Sequence, residues 1–485
     1  MEFYLMTDTP EFYNDLCEEI RLFLSADKID ILPVDSQIPL KGFCVKHAVT
    51  DLERGHFISS ARLYVNGKIK AVNQHPFFLE AQTSIAEKRE RKAAVKLNLY
   101  RLLKHYTHKR MPWGPLTGIR PSKYLRDLEA RMGEAGAKAY LVGELGVSKE
   151  KYSLAKSIVM RQQSIIESIG KTAIDIYIGI PFCPSICTYC SFGSKRLKEG
   201  DAIQNRYMDA LLAEIEAMKP IVSRQDIRSV YIGGGTPTSL DLPVLERLLA
   251  AVREWGEGCE FTVEAGRPDT IDQEMLALLK EYGVNRISIN PQTFKDETLA
   301  KVGRKHTVAN VYTAYALARE AGFSHINLDL ILGLPGETMM DMRRSLKKAR
   351  DMHPESITVH TLAIKNAAAM KREAKYSADE SLMERAVSAA RRICEKSGYF
   401  PYYMYRQKYM KGNLENVGYA RTDCPCIYNI DVMEEVTDIL AFGAGAISKK
   451  IYPDEGRHER LANPKDLETY LSHIETLIQK KKALF

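Results

Sequence analysis

Short runs of strand-forming residues alternate with amphipathic helices between residues 174 and 364. Strand-like sequence occurs at IDIYIGIP (174–181), RSVYIGGG (228–235), EFTVEAG (260–266), NRISIN (285–290), HINLDLILGL (325–334) and ESITVHTLAI (355–364). The segments between them place apolar side chains at helical spacing, as Leu242, Leu245 and Leu249 do. This alternation predicts an α/β fold with a parallel sheet, either open or a partial barrel of six βα units. In such barrels the reactive residues follow the carboxyl ends of the strands.

The flanking segments have different patterns. Residues 1–78 are predicted to form a small α+β unit, in which Asn66-Gly67 marks a hairpin between two strand-like runs. Residues 79–170 are predicted to be helical and carry much basic charge. Residues 369–485 are predicted to form a mostly helical tail domain, which leaves 171–368 as the core.

The composition is ordinary for a globular protein. Of the 485 residues, 45% are hydrophobic and 27% are charged, which excludes collagen-like and wholly disordered chains. No run of about 18 apolar residues is present, so no membrane helix is predicted. The first residues, MEFYLMTDTP, lack the basic and apolar regions of a secretory signal. Nine cysteines do not suggest a disulfide scaffold, so we expect a reducing, cytoplasmic location.

Positive charge is concentrated in one segment. Residues 88–126 contain twelve basic residues and one acid, Glu90, so the segment carries +11 while the whole chain carries +7. A field of this kind attracts anions, and the candidates are a substrate with several carboxylates or an RNA. The simpler interpretation is a solvated helix face followed by a basic loop.

Three cysteines follow the first strand of the predicted barrel, in the order Cys183-Pro-Ser-Ile-Cys187-Thr-Tyr-Cys190. Three thiolates in one loop favour a soft metal. A structural zinc site needs a fourth ligand, and the loop has no His or further Cys, so zinc and a redox disulfide are the weaker alternatives. A [4Fe–4S] cluster normally takes four cysteines, so three leave one iron open to an exogenous ligand.

An open iron suits S-adenosyl-L-methionine (SAM), whose amino and carboxylate groups can chelate the metal. The reduced cluster can pass an electron to the sulfonium, which releases a 5′-deoxyadenosyl radical. The cofactors carry this chemistry, while the protein positions them and excludes water. We therefore predict a [4Fe–4S] cluster and SAM as the cofactors.

Polar residues also follow the other predicted strands. Gly233-Gly-Gly-Thr-Pro-Thr238 follows the second strand and allows the backbone to approach a ligand. Glu264 follows the third strand, Gln292 follows the fourth with Arg304 in the helix beyond it, and Asp329 interrupts the apolar fifth strand. Each alone can be a surface charge or a buried, paired group. Their coincidence at successive strands favours a site beside the cysteine loop.

Together these motifs resemble the radical SAM superfamily, and within it the family of oxygen-independent coproporphyrinogen III oxidase and its relatives, in the coproporphyrinogen dehydrogenase branch. Tyr177-Ile-Gly-Ile-Pro-Phe-Cys183 resembles the family's YIHIPFC, and residues 233–238 match its GGGTPT. Residues 289–294 are similar to its GVQDF, and residues 329–335 to its DLIYGLP. The resemblance covers residues 174–450 and implies a partial barrel of the radical SAM type.

The resemblance also implies roles for individual residues. The cluster would be held by Cys183, Cys187 and Cys190. The sites for SAM, of which the oxidases bind two molecules, would be lined by Tyr177, Gly234, Gly235, Thr236, Glu264, Gln292, Arg304, Asp329 and Ala363. Tyr189 and Ile447 match further residues of the same cofactor site. Arg304 is expected to pair with a carboxylate.

Two departures from the family pattern affect the functional prediction. Gly179 stands where the family has a His, and Ser191-Phe192 stands where the true oxidases have a fourth Cys two residues after Cys190. The haem-chaperone relatives also lack that Cys. We expect the other cysteines to have no cofactor role: Cys17, Cys44, Cys259, Cys394, Cys424 and Cys426.

Four functions are therefore considered. The first is the oxygen-independent oxidative decarboxylation of coproporphyrinogen III to protoporphyrinogen IX, with an electron donor such as flavodoxin or ferredoxin as partner. The second is a haem-binding chaperone without oxidase turnover, and the third is a radical enzyme acting on another tetrapyrrole. The fourth, modification of RNA, depends on the basic segment alone and is not favoured. We expect a monomer with no membrane partner.

Overall fold

The computed structural model describes residues 2–24, 26, 28–79, 84–191, 193–363, 379–406 and 413–485. The chain divides into two compact units. The first comprises residues 1–119 and 127–154, and the second comprises residues 120–126 and 155–485. The four-segment division expected from the sequence stays a prediction.

The described residues contain eighteen β-strands. They are β1 (Phe3–Thr7), β2 (Asp30–Leu32), β3 (Phe43–Asp51), β4 (His56–Val65), β5 (Lys68–Phe78), β6 (Ala173–Ile180), β7 (Phe182–Cys183), β8 (Lys195–Arg196), β9 (Asp226–Gly234), β10 (Glu260–Val263), β11 (Arg286–Gln292), β12 (His325–Leu332), β13 (Ser356–Thr361), β14 (Phe400–Tyr405), β15 (Asn416–Ala420), β16 (Asp438–Phe442), β17 (Ile447–Tyr452) and β18 (Arg457–Ala462).

The α-helices of the described residues alternate with these strands through much of the chain. They are α1 (Tyr13–Phe23), α2 (Ser84–Thr107), α3 (Pro121–Lys138), α4 (Lys149–Glu167), α5 (Ile203–Val222), α6 (Leu242–Gly256), α7 (Gln273–Glu281), α8 (Asp296–Lys301), α9 (Val308–Glu320), α10 (Met339–Asp351), α11 (Glu380–Lys396), α12 (Ile427–Glu434), α13 (Leu467–Ser472) and α14 (Ile474–Leu484). None of them is long and apolar enough to cross a membrane within the part of the chain that the structure describes.

The first unit contains a five-stranded sheet in the order β2-β1-β3-β4-β5. The hairpin predicted at Asn66-Gly67 joins β4 to β5, and both residues adopt the positive φ that a tight hairpin turn requires. Leu16 of α1 and Leu99 of α2 are buried in the same core as Leu63 of the sheet. Amphipathic helices thus cover one apolar face of the sheet.

Part of the basic segment is used inside the fold. Lys96 is largely buried and forms an ion pair with Glu19, with 3.2 Å between Nζ and Oε1. In the second unit, Arg126 pairs with Glu434 at 2.5 Å, and Arg120 pairs with Glu435. The free positive field is therefore smaller than the formal +11.

The second unit contains an eleven-stranded sheet. Its centre is formed by β6, β9, β10, β11, β12 and β13, which are parallel and adjacent in chain order. This is the predicted partial barrel of six βα units. Its strands read as nearly continuous apolar runs, as AIDIYIGI in β6 does, because both faces are covered. Leu211 of α5, Leu245 of α6 and Leu279 of α7 are fully buried in the helical layer.

The C-terminal region contains more β-structure than the mostly helical tail that the sequence pattern predicts. Beyond β13, β15 and β14 add antiparallel strands; at the other edge β16 pairs in parallel with β6 and is followed by β17 and β18. The aromatic run FPYYMY in β14 suits a strand, and these segments find partners at the sheet edges. The predicted region also includes residues 369–378 and 407–412, which lie outside the described residues, as does Ile364 of the predicted sixth strand.

Candidate functional site

The cysteine loop is closed by a short pair of strands. Directly after β6, β7 pairs in parallel with β8, with the amide of Lys195 donating to the carbonyl of Pro181 at 2.7 Å. The amide of Cys190 donates to the carbonyl of Cys187 at 3.0 Å, which forms a turn between two of the predicted ligands. All nine cysteines lie in described residues and none forms a disulfide. Phe192 lies outside the described residues.

Neighbouring loops hold this loop in place. The hydroxyl of Ser185 donates to the carbonyl of Gly303 at 3.0 Å and accepts from Nη1 of Arg267 at 2.8 Å. Arg267 is buried, and its other nitrogens bind both oxygens of Asp269 at 2.9 and 2.8 Å. Arg267 therefore fixes the cysteine loop to the end of β10. The sequence could have indicated this role, because Arg267 directly follows Glu264-Ala-Gly at the end of a predicted strand.

A cavity of about 390 Å³ opens at the carboxyl ends of the barrel strands. It brings together twelve of the fourteen predicted site residues: Cys183, Cys187, Tyr189, Cys190, Gly234, Gly235, Thr236, Glu264, Gln292, Arg304, Asp329 and Ala363. The other two do not line it. Tyr177 lies behind the wall, where its ring stacks on Tyr231 with 6.3 Å between centroids. Ile447 begins β17 and is 47% exposed.

The glycine turn after β9 forms a wall of bare backbone beside the first cysteine. The amides of Gly235 and Thr236 donate to the carbonyls of Ile180 and Phe182, each at 2.7 Å. A Cβ on Gly235 would overlap the carbonyl oxygen of Phe182, so only glycine fits there. The hydroxyl of Thr236 lies 3.5 Å from the Sγ of Cys183. The turn therefore sets the position of the strand that carries this cysteine.

Glu264 and Asp329 are two carboxylates on the same wall with opposite pKa shifts. Burial raises the pKa of Glu264 to about 7, although Tyr231 and the amide of Gly234 donate to it. Burial would also raise the pKa of Asp329, but His360 and the hydrogen bonds from Asn327 and Thr358 together outweigh it and lower the pKa below its usual value. The Nε2 of His360 lies 3.5 Å from Oδ2 of Asp329.

Gln292 is strained and incompletely paired. It has a φ of +66°, a conformation that non-glycine residues rarely adopt. Its side-chain oxygen, Oε1, is buried and has no hydrogen-bond partner in the described part of the chain. Strain and an unmet acceptor on a cavity wall are both typical of a ligand-binding position.

Arg304 is already engaged by the protein. Its Nη2 donates to the carbonyls of Gly266 and Asn290 at 2.8 and 2.7 Å, and its Nη1 donates to the hydroxyl of Tyr189 at 3.2 Å. The expected pairing of Arg304 with a ligand carboxylate stays a prediction. The contacts of Arg304 fix Tyr189 of the cysteine loop to the ends of β10 and β11.

His360 and Tyr405 on the same wall were not found from the sequence. The Nδ1 of His360 lies 3.0 Å from the hydroxyl of Tyr405, and Nδ2 of Asn327 donates to Asp329 at 2.7 Å. Tyr405 belongs to β14, which joins the sheet of the barrel through its antiparallel pairing with β15. No local motif marks it.

Comparison with known proteins identifies the family. The model of the radical SAM superfamily matches residues 177–349. The oxygen-independent coproporphyrinogen-III oxidase-like protein HemZ of Bacillus subtilis (strain 168) is 39% identical over 436 residues, which are 86% of each chain. The chain belongs to the radical SAM superfamily. Its similarity to HemZ places it among the relatives of oxygen-independent coproporphyrinogen III oxidase.

Other relatives of this radical SAM protein are haem chaperones. HemW of B. subtilis (strain 168) is 38% identical, and the match covers 39% of this chain and 50% of the HemW chain. HemW of Escherichia coli (strain K12) is 28% identical, and the match covers 58% of this chain and 71% of the HemW chain. Among solved structures, coproporphyrinogen III oxidase (HemN) of E. coli is similar with a TM-score of 0.52 and 24% identity, covering 66% of this chain and 72% of that one. This last likeness shows the shared fold.

Members of the superfamily use a [4Fe–4S] cluster and SAM, and the residues of the cavity fit both. In the described residues, no three His, Cys, Asp or Glu side chains converge closely enough to hold a single metal ion, as a zinc site requires. A cluster instead takes its thiolates on separate irons, which suits three cysteines spread around one cavity. The unmet oxygen of Gln292 and the carboxylates of Glu264 and Asp329 suit the amine and hydroxyl donors of SAM.

Proposed function

We propose that this protein is a radical SAM enzyme that converts coproporphyrinogen III to protoporphyrinogen IX without oxygen. One observation carries the proposal: a single cavity contains the three cysteines together with the polar groups of four neighbouring strand ends. When bound, the cluster and SAM supply the radical that removes a hydrogen atom from carbon. An electron donor such as flavodoxin or ferredoxin would reduce the cluster.

The chain's own residues bind and orient the reactants. Cys183, Cys187 and Cys190 would hold the cluster. SAM, in one or two molecules, would contact the glycine turn at Gly234, Gly235 and Thr236 and the side chains of Glu264, Gln292 and Asp329. Ala363 lines the same wall. Arg304 would pair with a carboxylate of SAM, and its contacts with Tyr189 and the strand ends hold it in place on the cavity wall. Tyr177 and Ile447, which do not line the cavity, keep only the role that the resemblance implies.

The proposed reaction converts one propionate side chain at a time to a vinyl group. Removal of a hydrogen atom from its β-carbon leaves a substrate radical. The bond to the carboxylate then breaks, CO₂ leaves, and one electron passes to an acceptor of the redox-protein class, so that a vinyl group remains. Two propionates react in turn.

A second candidate is a haem-binding chaperone that retains the cofactors without oxidase turnover. One specific feature favours it: Ser191-Phe192 replaces the fourth Cys that the resemblance leads us to expect in a true oxidase. The similarity to the HemW proteins points in the same direction. A radical enzyme acting on another tetrapyrrole is a variant of the first candidate.

Anaerobic incubation with SAM, a reductant and coproporphyrinogen III tests the proposal. Mass spectrometry should detect 5′-deoxyadenosine and the loss of two CO₂ from the tetrapyrrole, and the Cys187→Ser variant should form neither product. Stoichiometric haem uptake with a shifted Soret band, without either product, would instead support the chaperone. Formation of 5′-deoxyadenosine without decarboxylation would indicate a different tetrapyrrole substrate.

A further inference from the structure

A second cavity of about 670 Å³ lies at the opposite end of the barrel. Its wall includes the first residues of three consecutive strands: Glu260 of β10, Arg286 of β11 and His325 of β12. Because these strands are parallel, their first residues lie at the end away from the cysteine loop. The proposed reaction makes no use of this cavity.

Arg286 is a buried cation with an unmet donor in this wall. It is 3% exposed, its Nη2 donates to the carbonyls of Cys424 and Pro425 at 3.0 Å each, and its Nε lies 3.2 Å from Glu260. Its Nη1 has no hydrogen-bond partner in the described residues. A guanidinium stays charged, and an unsatisfied buried N–H is costly. Both facts call for an acceptor supplied by a ligand.

Two further arginines of the same wall lack a carboxylate partner in the described residues. The guanidinium of Arg161 stacks over the ring of Phe400, with 4.1 Å between Cζ and the ring centroid. Arg421 lies over the ring of Tyr399 and donates to the carbonyl of His353 at 3.4 Å. Stacking orders a guanidinium while leaving N–H donors available at its edge.

The carboxylates of the wall do not cancel this charge. Glu260 is committed to the protein, since it pairs with Arg286 and accepts from the amides of Ile427 and Tyr428 at 3.0 and 3.1 Å. Asp423 is the other carboxylate of the wall and is exposed. Two arginines without acidic partners therefore face one available carboxylate.

The rest of the wall is partly apolar. Ile165, Phe400, Tyr402 and Ile430 supply aliphatic and aromatic surface beside the arginines. Small-molecule sites commonly combine such a surface with a few placed polar groups, in volumes of about 300–1,000 Å³. The combination suits a molecule with an apolar body and acidic groups at its edge.

We propose that this cavity binds a small organic anion, whose carboxylate or phosphate groups are recognised by Arg161, Arg286 and Arg421 and whose body lies against Phe400 and Tyr402. The cavity shares Arg286 and Tyr402 with the wall of the proposed cofactor cavity, but none of the predicted cofactor-site residues lines it. A tetrapyrrole carboxylate and a nucleotide phosphate share this chemistry, and the experiment distinguishes them.

The test is calorimetric titration of the cluster-reconstituted protein with three probes: citrate, ATP and coproporphyrin III. At least one probe should bind with a stoichiometry near one. Arg161→Gln and Arg421→Gln should each weaken that binding about tenfold or more, as expected for loss of a charged hydrogen bond. The matched control is Arg206→Gln. It removes an exposed arginine that pairs with Glu468 and does not line this cavity.

Several outcomes would overturn the proposal. One is that none of the probes binds at millimolar concentration. Another is that Arg206→Gln weakens binding as much as Arg161→Gln does, which would indicate that binding depends on net charge alone. Binding of coproporphyrin III that is lost in Gly235→Ala but not in Arg161→Gln would place the ligand in the other cavity. Formation of 5′-deoxyadenosine by Arg161→Gln should equal that of the unmodified protein, so failure of this proposal is distinguishable from failure of the proposed function.

Arg286→Lys keeps the charge but loses the planar fork, and it provides a further test. It should weaken binding of the same probe while near-ultraviolet circular dichroism stays unchanged. Unaltered affinity in a folded Arg286→Lys protein would contradict a role for the unmet donor.

Discussion

The hydroxyl of Tyr231 donates to Oε1 of Glu264 at 2.5 Å, which joins the ends of β9 and β10 directly beneath the glycine turn. This contact and the amide of Gly234 only partly offset the cost of burying the carboxylate, whose pKa is raised to about 7. Glu264 therefore changes charge near neutral pH, on the wall that we propose contacts SAM.

The raised pKa of Glu264 predicts a pH-dependent stability. The unfolded carboxyl has its ordinary pKa of 4.5, so the folded state binds more protons between that value and about 7. The stability contributed by this group is therefore greatest below pH 4.5 and falls as the pH rises to 7. We expect Glu264→Gln to gain in thermal midpoint relative to the unmodified protein between pH 5 and pH 8. A constant difference across this range would contradict the raised pKa.

Gly235→Ala should damage the cluster site without adding or removing any ligand. The new methyl group would overlap the carbonyl of Phe182 and displace the strand that carries Cys183. We expect iron content after anaerobic reconstitution to fall by at least half. Gly143→Ala is the matched control, because a Cβ there meets no atom within 4 Å. Full iron in Gly235→Ala would show that the turn does not position the cysteine.

Gln292→Gly should separate binding from stability. The substitution relieves a left-handed backbone strain that costs about 1–3 kcal/mol, but it removes the unmet side-chain oxygen. We expect the affinity for SAM to fall about tenfold, which corresponds to about 1.4 kcal/mol, while the thermal midpoint does not decrease. Equilibrium dialysis and a thermal scan measure the two effects. Unchanged affinity would exclude this oxygen from the SAM site.

A buried ion pair fixes the C-terminal helix to the barrel. Lys481 of α14 lies 2.5 Å from Glu214 of α5, and both side chains are fully buried. Glu214 also accepts from the amide of Gly443 and the hydroxyl of Tyr470, each at 2.8 Å. Lys481→Met should lower the free energy of unfolding by about 3–5 kcal/mol, because it leaves the carboxylate unpaired.

Urea denaturation followed by tryptophan fluorescence measures this loss. The double variant Lys481→Met with Glu214→Gln removes both charges and should recover part of it. A double variant less stable than the single one would indicate that Glu214 acts through its other hydrogen bonds rather than through Lys481.

The sequence predicts those parts of the site in which a local motif carries the chemistry. The spacing of Cys183, Cys187 and Cys190, the glycine turn and the isolated polar residues after each strand were sufficient to predict one shared cavity, because parallel strands bring their carboxyl ends together. His360 and Tyr405 were not found, since the first is one polar residue in a buried strand and the second arrives through strand pairing at the sheet edge.

The sequence was also less informative about the C-terminal region. Segments such as NVGYA in β15 are short and become strands because a sheet edge is available, which a local pattern does not record. The contacts that hold Arg304 in place, with carbonyls, His306 and Tyr189, were likewise not predictable from its residue type, and its pairing with a ligand carboxylate stays a prediction.

The central claim is that three cysteines hold an iron–sulfur cluster, and the iron content of Cys187→Ser tests it most directly. The oxygen-protected, reconstituted protein should be brown and contain about four iron atoms per chain. Cys187→Ser should lose the colour and most of the iron, while Cys259→Ser, whose thiol donates to the backbone carbonyls of Trp255 and Glu260, should retain both. Full iron in Cys187→Ser, or a colourless protein that contains zinc, would contradict the account.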